Sequence, residues 1–203
     1  MILFNIPSWI QFIFPSILWR VDTDKKEVFL TFDDGPTPEG TYWILELLKK
    51  FDAKASFFCL GKNIIEYPEI VSLLVKEGHQ IGNHTFTHVN AQKVIFADYL
   101  EEIKSTEKLI SNNIFRPPYG KLTIQSFFRL REKYRIVLWD IMSYDFDANQ
   151  DIKSVLLKLK KSTKKGSIIV FHDNVKSFER LKIILPEYLQ WLYDENYSFN
   201  KIN

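Results

Sequence analysis

Two adjacent carboxylates follow an apolar stretch early in the chain, within the sequence Thr31-Phe32-Asp33-Asp34-Gly35-Pro36. Adjacent residues at the end of a strand can point in different directions, so one carboxylate can bind a metal ion while the other handles protons. Asp-Gly and Gly-Pro are also ordinary turn sequences. By itself, this cluster therefore leaves a functional and a structural interpretation open.

Two histidines, His84 and His88, lie four residues apart. On a helical turn this spacing brings two imidazoles to one face, about 6 Å apart, which suits joint coordination of a small ion. The chain has only four histidines, and this pair follows a strand predicted to end at Gly82. A single His-x-x-x-His is nevertheless a weak signal, because capping and surface histidines are common.

The other two histidines receive different interpretations. His172 ends the strongly apolar sequence 166–171, where a histidine can be a general acid or can simply be buried. His79 has no partner at ligand spacing, and we predict a structural role for it. The only cysteine, Cys59, lies in the apolar run 55–60, which predicts a buried, unreactive thiol and excludes an internal disulfide.

Together these clusters could supply a hydrolytic site. One carboxylate and both imidazoles of the His84–His88 pair would hold a metal with open coordination positions, the second carboxylate would act as base, and His172 would act as acid. Two nitrogen donors and one oxygen donor favour Zn²⁺, with Co²⁺, Ni²⁺ or Mn²⁺ as substitutes.

Short apolar stretches alternate with amphipathic segments along the chain, which predicts an α/β fold with a parallel sheet, either open or closed into a barrel. The functional groups of such folds lie at the carboxyl ends of the strands. Strands are predicted at 28–32, 55–60, 79–82, 114–115, 135–139 and 167–171. One helix is predicted to begin near Pro38, with Thr37 as its cap, and another is predicted to begin near Pro68. A third is predicted at 94–110, and the last helix has its apolar face at 181–192.

Composition indicates one domain with a sizeable core, because 46% of the 203 residues are hydrophobic. The formal net charge is only +2, and the basic run 158–165 is typical of a solvated helix face, so we expect no nucleic-acid partner.

The first nineteen residues carry no charged side chain. They lack the basic segment and the small-residue cleavage site of a signal peptide. Polar residues and prolines interrupt the apolar stretch that a membrane-spanning helix would require. We predict an N-terminal strap, 1–27, packed on a domain at 28–203. Peripheral membrane contact through Trp9, Phe12, Phe14 and Trp19 is the alternative, which the lack of basic residues disfavours. The compartment stays open between the cytoplasm and the cell envelope.

From about residue 28 to residue 199, the chain resembles the polysaccharide deacetylase family, also called the NodB-homology domain or carbohydrate esterase family four. Three of its motifs occur in order: Thr-Phe-Asp-Asp-Gly at 31–35, His-Ser/Thr-x-x-His at 84–88 and Arg-x-Pro-Tyr-Gly at 116–120. The fifth, Leu-x-x-His, occurs at 169–172 with Ile169 in first position. The fourth, Asp-x-x-Asp-Trp, retains Asp145 but has Met142 and Phe146 at its first and last positions.

The resemblance implies a distorted (β/α) barrel of NodB type and assigns a role to each site residue. The metal ligands would be Asp34, His84 and His88. The catalytic group would be Asp33 as base, held by Arg116, the backbone N–H of Tyr119 as oxyanion donor, and His172 as acid, oriented by Asp145. Asp140 and Asp147 are fallback partners for His172.

The activity that the resemblance implies is N-deacetylation of N-acetylglucosamine-type sugars in peptidoglycan, a chitin-like oligomer or another envelope polysaccharide, with release of acetate. Hydrolysis of another non-peptide C–N bond is an enzymatic alternative, for example a formamide on a lipid-linked sugar or a cyclic amide. A sugar-binding domain without catalysis is the non-enzymatic alternative, which only the altered fourth motif supports. The expected partner is a glycan or amino-sugar substrate.

Overall fold

A curved sheet of parallel strands forms the centre of the protein in the computed structural model, which describes residues 12–203. The strands occur in the order β5-β4-β3-β2-β1-β7-β6, and β8 pairs with the first part of β1. Their bounds are β1 (Glu27–Asp33), β2 (Ser56–Cys59), β3 (Gln80–Asn83), β4 (Ile114–Phe115), β5 (Arg135–Ile136), β6 (Ile141–Met142), β7 (Ile168–His172) and β8 (Ser198–Asn200).

Helices cover this sheet, as the alternating pattern predicts. The α-helices that lie wholly within the described residues are α1 (Pro38–Lys50), α2 (Gly61–Glu66), α3 (Pro68–Lys76), α4 (Phe96–Glu107), α5 (Ile124–Leu130), α6 (Ile152–Ser162) and α7 (Val175–Asp194). Thr37 caps α1 by accepting a hydrogen bond from the N–H of Gly40, which confirms the predicted cap.

Three predicted elements are longer than the observed ones. The strand predicted at 55–60 spans only Ser56–Cys59. The helix predicted at 94–110 spans only Phe96–Glu107, because Val94 and Ile110 pack on the core from the flanking loops and so extend the apolar pattern. The strand predicted at 135–139 is reduced to Arg135–Ile136, and Val137 instead forms a bridge with Leu18.

The main core lies between the sheet and the two longest helices. Every residue of β1 is buried, and Phe32 stacks between Phe57 and Phe171, with ring centroids 5.0 and 5.9 Å away. The predicted apolar face of α7 is buried against this layer. Cys59 is fully buried, and His79 is buried with its Nδ1 accepting the N–H of Ala55 at 3.2 Å, in agreement with their predicted structural roles.

The chain before β1 joins two distant parts of the sheet. Leu18 pairs with Val137 beside β5, and Arg20 pairs with Ser167 beside β7. Trp19 is buried, so it does not offer the membrane contact considered for it, whereas Phe12 and Phe14 are exposed. Trp9 lies outside the described residues, and the division at 27/28 stays a prediction.

No described helix combines the length and the apolar character that crossing a bilayer requires.

Substituting Ile169 tests this core. Ile169 is fully buried in β7, so Ile169→Ala should lower the free energy of unfolding by about 2–5 kcal/mol through lost burial and a residual cavity. Ile95→Ala is the matched control, because Ile95 is 68% exposed and its loss should change stability by less than about 0.5 kcal/mol. Urea unfolding of both variants measures the difference, and equal losses would contradict the described packing.

Candidate active site

The three polar clusters meet at the carboxyl ends of neighbouring strands. Asp33 at the end of β1 is in register with His172 at the end of β7. Asn83 at the end of β3 is in register with Phe115 at the end of β4, so His84 and Arg116 leave the sheet side by side. The parallel order thus brings motifs from distant parts of the sequence to one edge.

Asp34, His84 and His88 form a cluster with the composition of a metal site. Asp34 Oδ1 lies 3.5 Å from Nε2 of His84 and 3.2 Å from Nε2 of His88. One potential ligand atom from each residue falls within a span of 4.8 Å. Asp34 Oδ1 is buried and has no hydrogen-bond partner among the described residues. A buried carboxylate oxygen without a partner costs free energy, and a cation shared with two imidazoles would satisfy it.

The charges around Asp34 are consistent with a metal site. Burial by itself raises the pKa of the Asp34 carboxyl, but the neighbouring imidazoles of His84 and His88 outweigh burial and bring the pKa well below its usual range. The group is therefore a carboxylate at neutral pH, the form that binds a metal.

A hydrogen bond fixes the tautomer of His84. Its Nδ1 lies 2.7 Å from the carbonyl oxygen of Arg116, and because a carbonyl can only accept, Nδ1 carries the proton. A histidine binds a metal as the neutral ring, and in that form the Nε2 lone pair of His84 would face a cation shared with Asp34 Oδ1. Such an outer hydrogen bond is typical of metal-binding histidines.

The predicted helical turn for the two histidines is wrong, although their proximity is right. Residues 84–88 form a loop in which Thr85 and His88 both have a φ of 65°. Glu102 of α4 holds this loop by accepting the N–H groups of Phe86 and Thr87 at 3.0 and 2.7 Å. The imidazole centroids lie 5.1 Å apart, so the loop brings the two rings close together, as a helical turn would have done.

Arg116 is fully buried and forms an ion pair with Asp33. Its Nη1 donates to Asp33 Oδ1 at 2.7 Å and to the hydroxyl of Thr31 at 2.7 Å. Its Nε and Nη2 donate to the carbonyls of Val137 and Leu138. Burial lowers the pKa of Arg116, and the adjacent carboxylate opposes that effect. With Oδ1 of Asp33 engaged, Oδ2 faces the metal cluster, 4.0 Å from His84 Nε2.

His172 is paired with Asp145. His172 Nδ1 lies 2.8 Å from Asp145 Oδ1, and the backbone N–H of His172 donates to Oδ2 at 2.7 Å. Burial by itself lowers the pKa of His172, but the negative charge of Asp145, together with that of Asp34, outweighs burial and raises the pKa to about 9. The ring is therefore an imidazolium at neutral pH, with Nε2–H available to donate.

Neither fallback partner contacts this histidine. Asp140 accepts hydrogen bonds from Ser167 and Ile168, and Asp147 accepts them from Asn149 and Gln150.

The altered fourth motif leaves the Asp145–His172 pair intact. Met142 lies in β6 in register with Val170, while the ring of Phe146 meets that of His172 edge to face at 5.0 Å. The replacement of Trp by Phe146 therefore preserves an aromatic wall against the histidine.

Tyr119 lies on the other side of the metal cluster. Its ring packs edge to face on that of His88, with centroids 4.6 Å apart, and its side chain is largely exposed. Tyr119 and Gly120 have φ values of 61° and 64°, and a Cβ on Gly120 would overlap the ring of Trp139. This tight turn holds the Tyr119 backbone at the rim of the site.

Sequence reasoning assigned no role to three residues that support Asp34 and its loop. Asn174 Nδ2 donates to Asp34 Oδ2 at 2.7 Å, and Asn63 Nδ2 donates to the Asp34 carbonyl at 2.8 Å. Asp173 accepts the hydroxyls of Thr37 and Thr41, and burial raises its pKa to about 7 although both hydrogen bonds oppose the rise. Asp173 and Asn174 directly follow His172, which was the one available signal, whereas nothing in the sequence pointed to Asn63.

The sequence of this chain is similar to those of known deacetylases. A family model described as polysaccharide deacetylase matches residues 20–133, more than half of the chain. The peptidoglycan-N-acetylglucosamine deacetylase of Bacillus cereus is 33% identical over 190 residues, covering 90% of this chain and 89% of that protein. The chitooligosaccharide deacetylase of Azorhizobium caulinodans is 32% identical over 162 residues, covering 76% of this chain and 77% of that protein.

The fold is shared as well. The crystal structure of a peptidoglycan N-acetylglucosamine deacetylase in complex with 4-naphthalen-1-yl-N-oxidanyl-benzamide has a TM-score of 0.88 at 29% identity, covering 97% of this chain and 95% of that chain. This likeness confirms the predicted distorted barrel, which is a curled parallel half-barrel surrounded by helices. The chain belongs to the polysaccharide deacetylase family.

Proposed function

We propose that this protein is a zinc-dependent N-deacetylase that hydrolyses the acetamide of N-acetylglucosamine units in an envelope glycan, with peptidoglycan as the first candidate. The observation that carries the proposal is the unpartnered Asp34 Oδ1 facing two imidazole nitrogens, with Asp33 and His172 beside it. The family and the two deacetylases that are about one third identical to this chain support the reaction and the class of substrate.

Asp34, His84 and His88 would hold the metal, leaving coordination positions open. A divalent cation bound there supplies Lewis acidity, polarising an amide carbonyl and a water molecule. The N₂O donor set favours Zn²⁺, and Co²⁺, Ni²⁺ and Mn²⁺ fit the same donors.

Asp33 would act as the general base. Arg116 binds Oδ1 and prevents the carboxylate from turning, so Oδ2 is the oxygen that receives the proton of the attacking water. The hydroxyl of that water forms the new bond to the acetamide carbon. The backbone N–H of Tyr119, at the rim of the site, would stabilise the negative charge that develops on the carbonyl oxygen.

His172 would act as the general acid. Asp145 accepts the hydrogen bond from Nδ1–H, so the Nε2 proton is the one transferred to the leaving nitrogen. The C–N bond breaks as this proton arrives, and the products are acetate and a free amino sugar. The two proton-transfer groups lie in register at the ends of adjacent strands, so both can reach one substrate bond.

A lipid-linked amino sugar is the second candidate substrate, favoured by one observation. An apolar groove of about 370 Å³ is lined by residues of α5 and of the chain before β1, among them Trp19, Ile124 and Phe128, and by Gly120, the residue after Tyr119. Such a groove suits a hydrocarbon chain attached to the reacting sugar. The catalytically inactive sugar-binding alternative loses its main support, because the altered fourth motif leaves the acid and its carboxylate in contact.

Acetate release from a panel of substrates tests the proposed reaction. The metal-loaded protein should release acetate from peptidoglycan fragments faster than from chitooligosaccharides, and should release no formate from formamido sugars. Faster turnover of a lipid-linked amino sugar than of its water-soluble headgroup would instead favour the second candidate. The absence of acetate from every N-acetylated substrate would contradict deacetylation.

The metal site predicts zinc stoichiometry. The protein should bind a single equivalent of zinc, and its activity should disappear with a chelator and return with added zinc, because Asp34 and both histidines remain in place. Asp34→Ala should lose the zinc in metal analysis, whereas Asp147→Ala should keep it, since the Asp147 carboxylate accepts hydrogen bonds from Asn149 and Gln150 and is not part of the metal cluster. Equal zinc content in both variants would contradict the assignment.

The base and acid assignments predict large losses of turnover. Asp33→Asn and His172→Ala should each lower kcat by about 10²–10⁴-fold, the usual contribution of a positioned acid or base. Asp194→Asn, an exposed control on α7, should leave kcat unchanged. Zinc analysis of each variant shows whether the metal is retained. Turnover of Asp33→Asn or His172→Ala equal to that of the control would exclude the corresponding role.

The Asp145–His172 pair predicts the alkaline limit of activity. An acid works only while protonated, so kcat/KM should fall as pH rises through the His172 pKa of about 9, or somewhat lower when a bound cation offsets the charge of Asp34. Asp145→Asn removes the charge that raises this pKa and should move the alkaline limb down by about 1–3 pH units. An unchanged limb would show that another group donates the proton. Asp147→Asn serves as the charge-matched control.

A further inference from the structure

Asn174 connects the carboxylate of Asp34 to the beginning of α7. Its Nδ2 donates to Asp34 Oδ2 at 2.7 Å, and its Oδ1 accepts the N–H of Ser177 at 2.9 Å, which caps the helix. The two ends of one amide therefore serve two different partners.

Both partners determine how the amide is oriented. A carboxylate can only accept a hydrogen bond and a backbone N–H can only donate one, so the nitrogen must face Asp34 and the oxygen must face Ser177. The side chain is half-buried and rests on a 20-residue helix whose inner face is buried in the core. Asn174 is thus a rigid donor at a fixed place.

This donor distinguishes the two oxygens of Asp34. Oδ2 is occupied by Asn174, while Oδ1 has no hydrogen-bond partner in the described part of the chain and faces the two imidazole nitrogens. The backbone of Asp34 has a φ of 77°, and Asn63 holds its carbonyl at 2.8 Å. Asparagines therefore bind Asp34 at both its side chain and its main chain.

We propose that Asn174 is a positioning residue of the metal site: it holds Asp34 with Oδ1 directed at the cation and thereby raises the affinity of the site for zinc. The inference rests on the metal site of the proposed function. Without the Nδ2 donor, the carboxylate would be free to turn about its side-chain torsion, and Oδ2 would lose its partner. Removing an outer partner of a metal ligand commonly weakens metal binding by about 10–100-fold.

A role limited to helix capping makes different predictions, because the cap uses Oδ1 and the positioning uses Nδ2. Asn174→Ala removes both functions. Asn174→Gly removes the donor while retaining a residue that is tolerated at an N-cap. Asp151→Ala is the matched control for capping alone, since Asp151 caps α6 through the N–H of Ser154 and does not contact the metal cluster.

The experiment measures zinc affinity by competition with a chromophoric chelator, and stability by urea unfolding of the metal-free proteins. Asn174→Ala and Asn174→Gly should both weaken zinc binding by about 10–100-fold. The urea midpoint should fall for Asn174→Ala and Asp151→Ala and should fall less for Asn174→Gly than for Asn174→Ala, because glycine is tolerated at an N-cap. Zinc affinity equal to that of the wild type in both Asn174 variants would overturn the proposal, as would zinc affinity that simply follows the urea midpoint across the series.

Failure of the proposed function gives a different result. If the wild-type protein binds zinc through Asp34 but releases no acetate from any substrate, the reaction is wrong and the affinities still decide the role of Asn174. If Asp34→Ala binds zinc as tightly as the wild type, the metal site is elsewhere and the inference about Asn174 falls with it.

Discussion

The buried ion pair between Arg116 and Asp33 is the interaction on which the rest of the site depends. The guanidinium lies 4.1 Å from the ring centroid of Phe58 and has no solvent exposure. A charge in such a place must be paired and hydrogen-bonded, and removing one partner of a buried pair destabilises a protein by about 3–5 kcal/mol. The guanidinium reaches β1 through Asp33 and the chain after β5 through the carbonyls of Val137 and Leu138. The backbone carbonyl of Arg116 fixes the tautomer of His84. One residue therefore orients both the proposed base and one proposed metal ligand.

Backbone strain is concentrated around the same centre. Asp34, Thr85, His88 and Tyr119 all have φ values between 61° and 77°, a region that costs non-glycine residues about 1–3 kcal/mol each. Hydrogen bonds from Asn63 and Asn174 hold Asp34, and Glu102 holds the histidine loop from α4. The rigid sheet and helices thus support loop conformations that the loops would not adopt alone. This preorganisation is what a metal site and an oxyanion site require.

The departure from the family's fourth motif has a limited structural effect. Asp145 supplies the carboxylate that the proposed acid needs on Nδ1, and the ring of Phe146 packs against the imidazole. Ser143 adds a hydrogen bond to Asp145 Oδ1 at 2.9 Å, so this buried carboxylate is well satisfied. The smaller ring of Phe146 and the apolar Met142 alter the surroundings of the acid rather than its pairing. Their effect is therefore expected in substrate choice.

The sequence by itself determined the class of fold and the chemical groups of the site. Alternating apolar strands and amphipathic helices imply a parallel sheet, and polar residues placed directly after strands, such as Asp33, His84 and His172, must then meet at one edge. This information is local, because each strand and the polar residue that follows it are neighbours in the sequence. The resemblance to a known family identified Asp145, rather than Asp140 or Asp147, as the carboxylate that pairs with His172. The spacing of these three residues does not distinguish them.

Only the tertiary structure decided the conformations and partners beyond the strand ends. The two histidines lie on a loop rather than a helical turn, because Glu102, on a helix that follows later in the chain, accepts the N–H groups of this loop. Asn174 meets Asp34 across 140 residues, and no periodic pattern reports a contact of that kind. The physical reason is that hydrophobic periodicity encodes which face of an element is buried, whereas the pairing of polar groups at its end depends on where the fold brings other donors and acceptors.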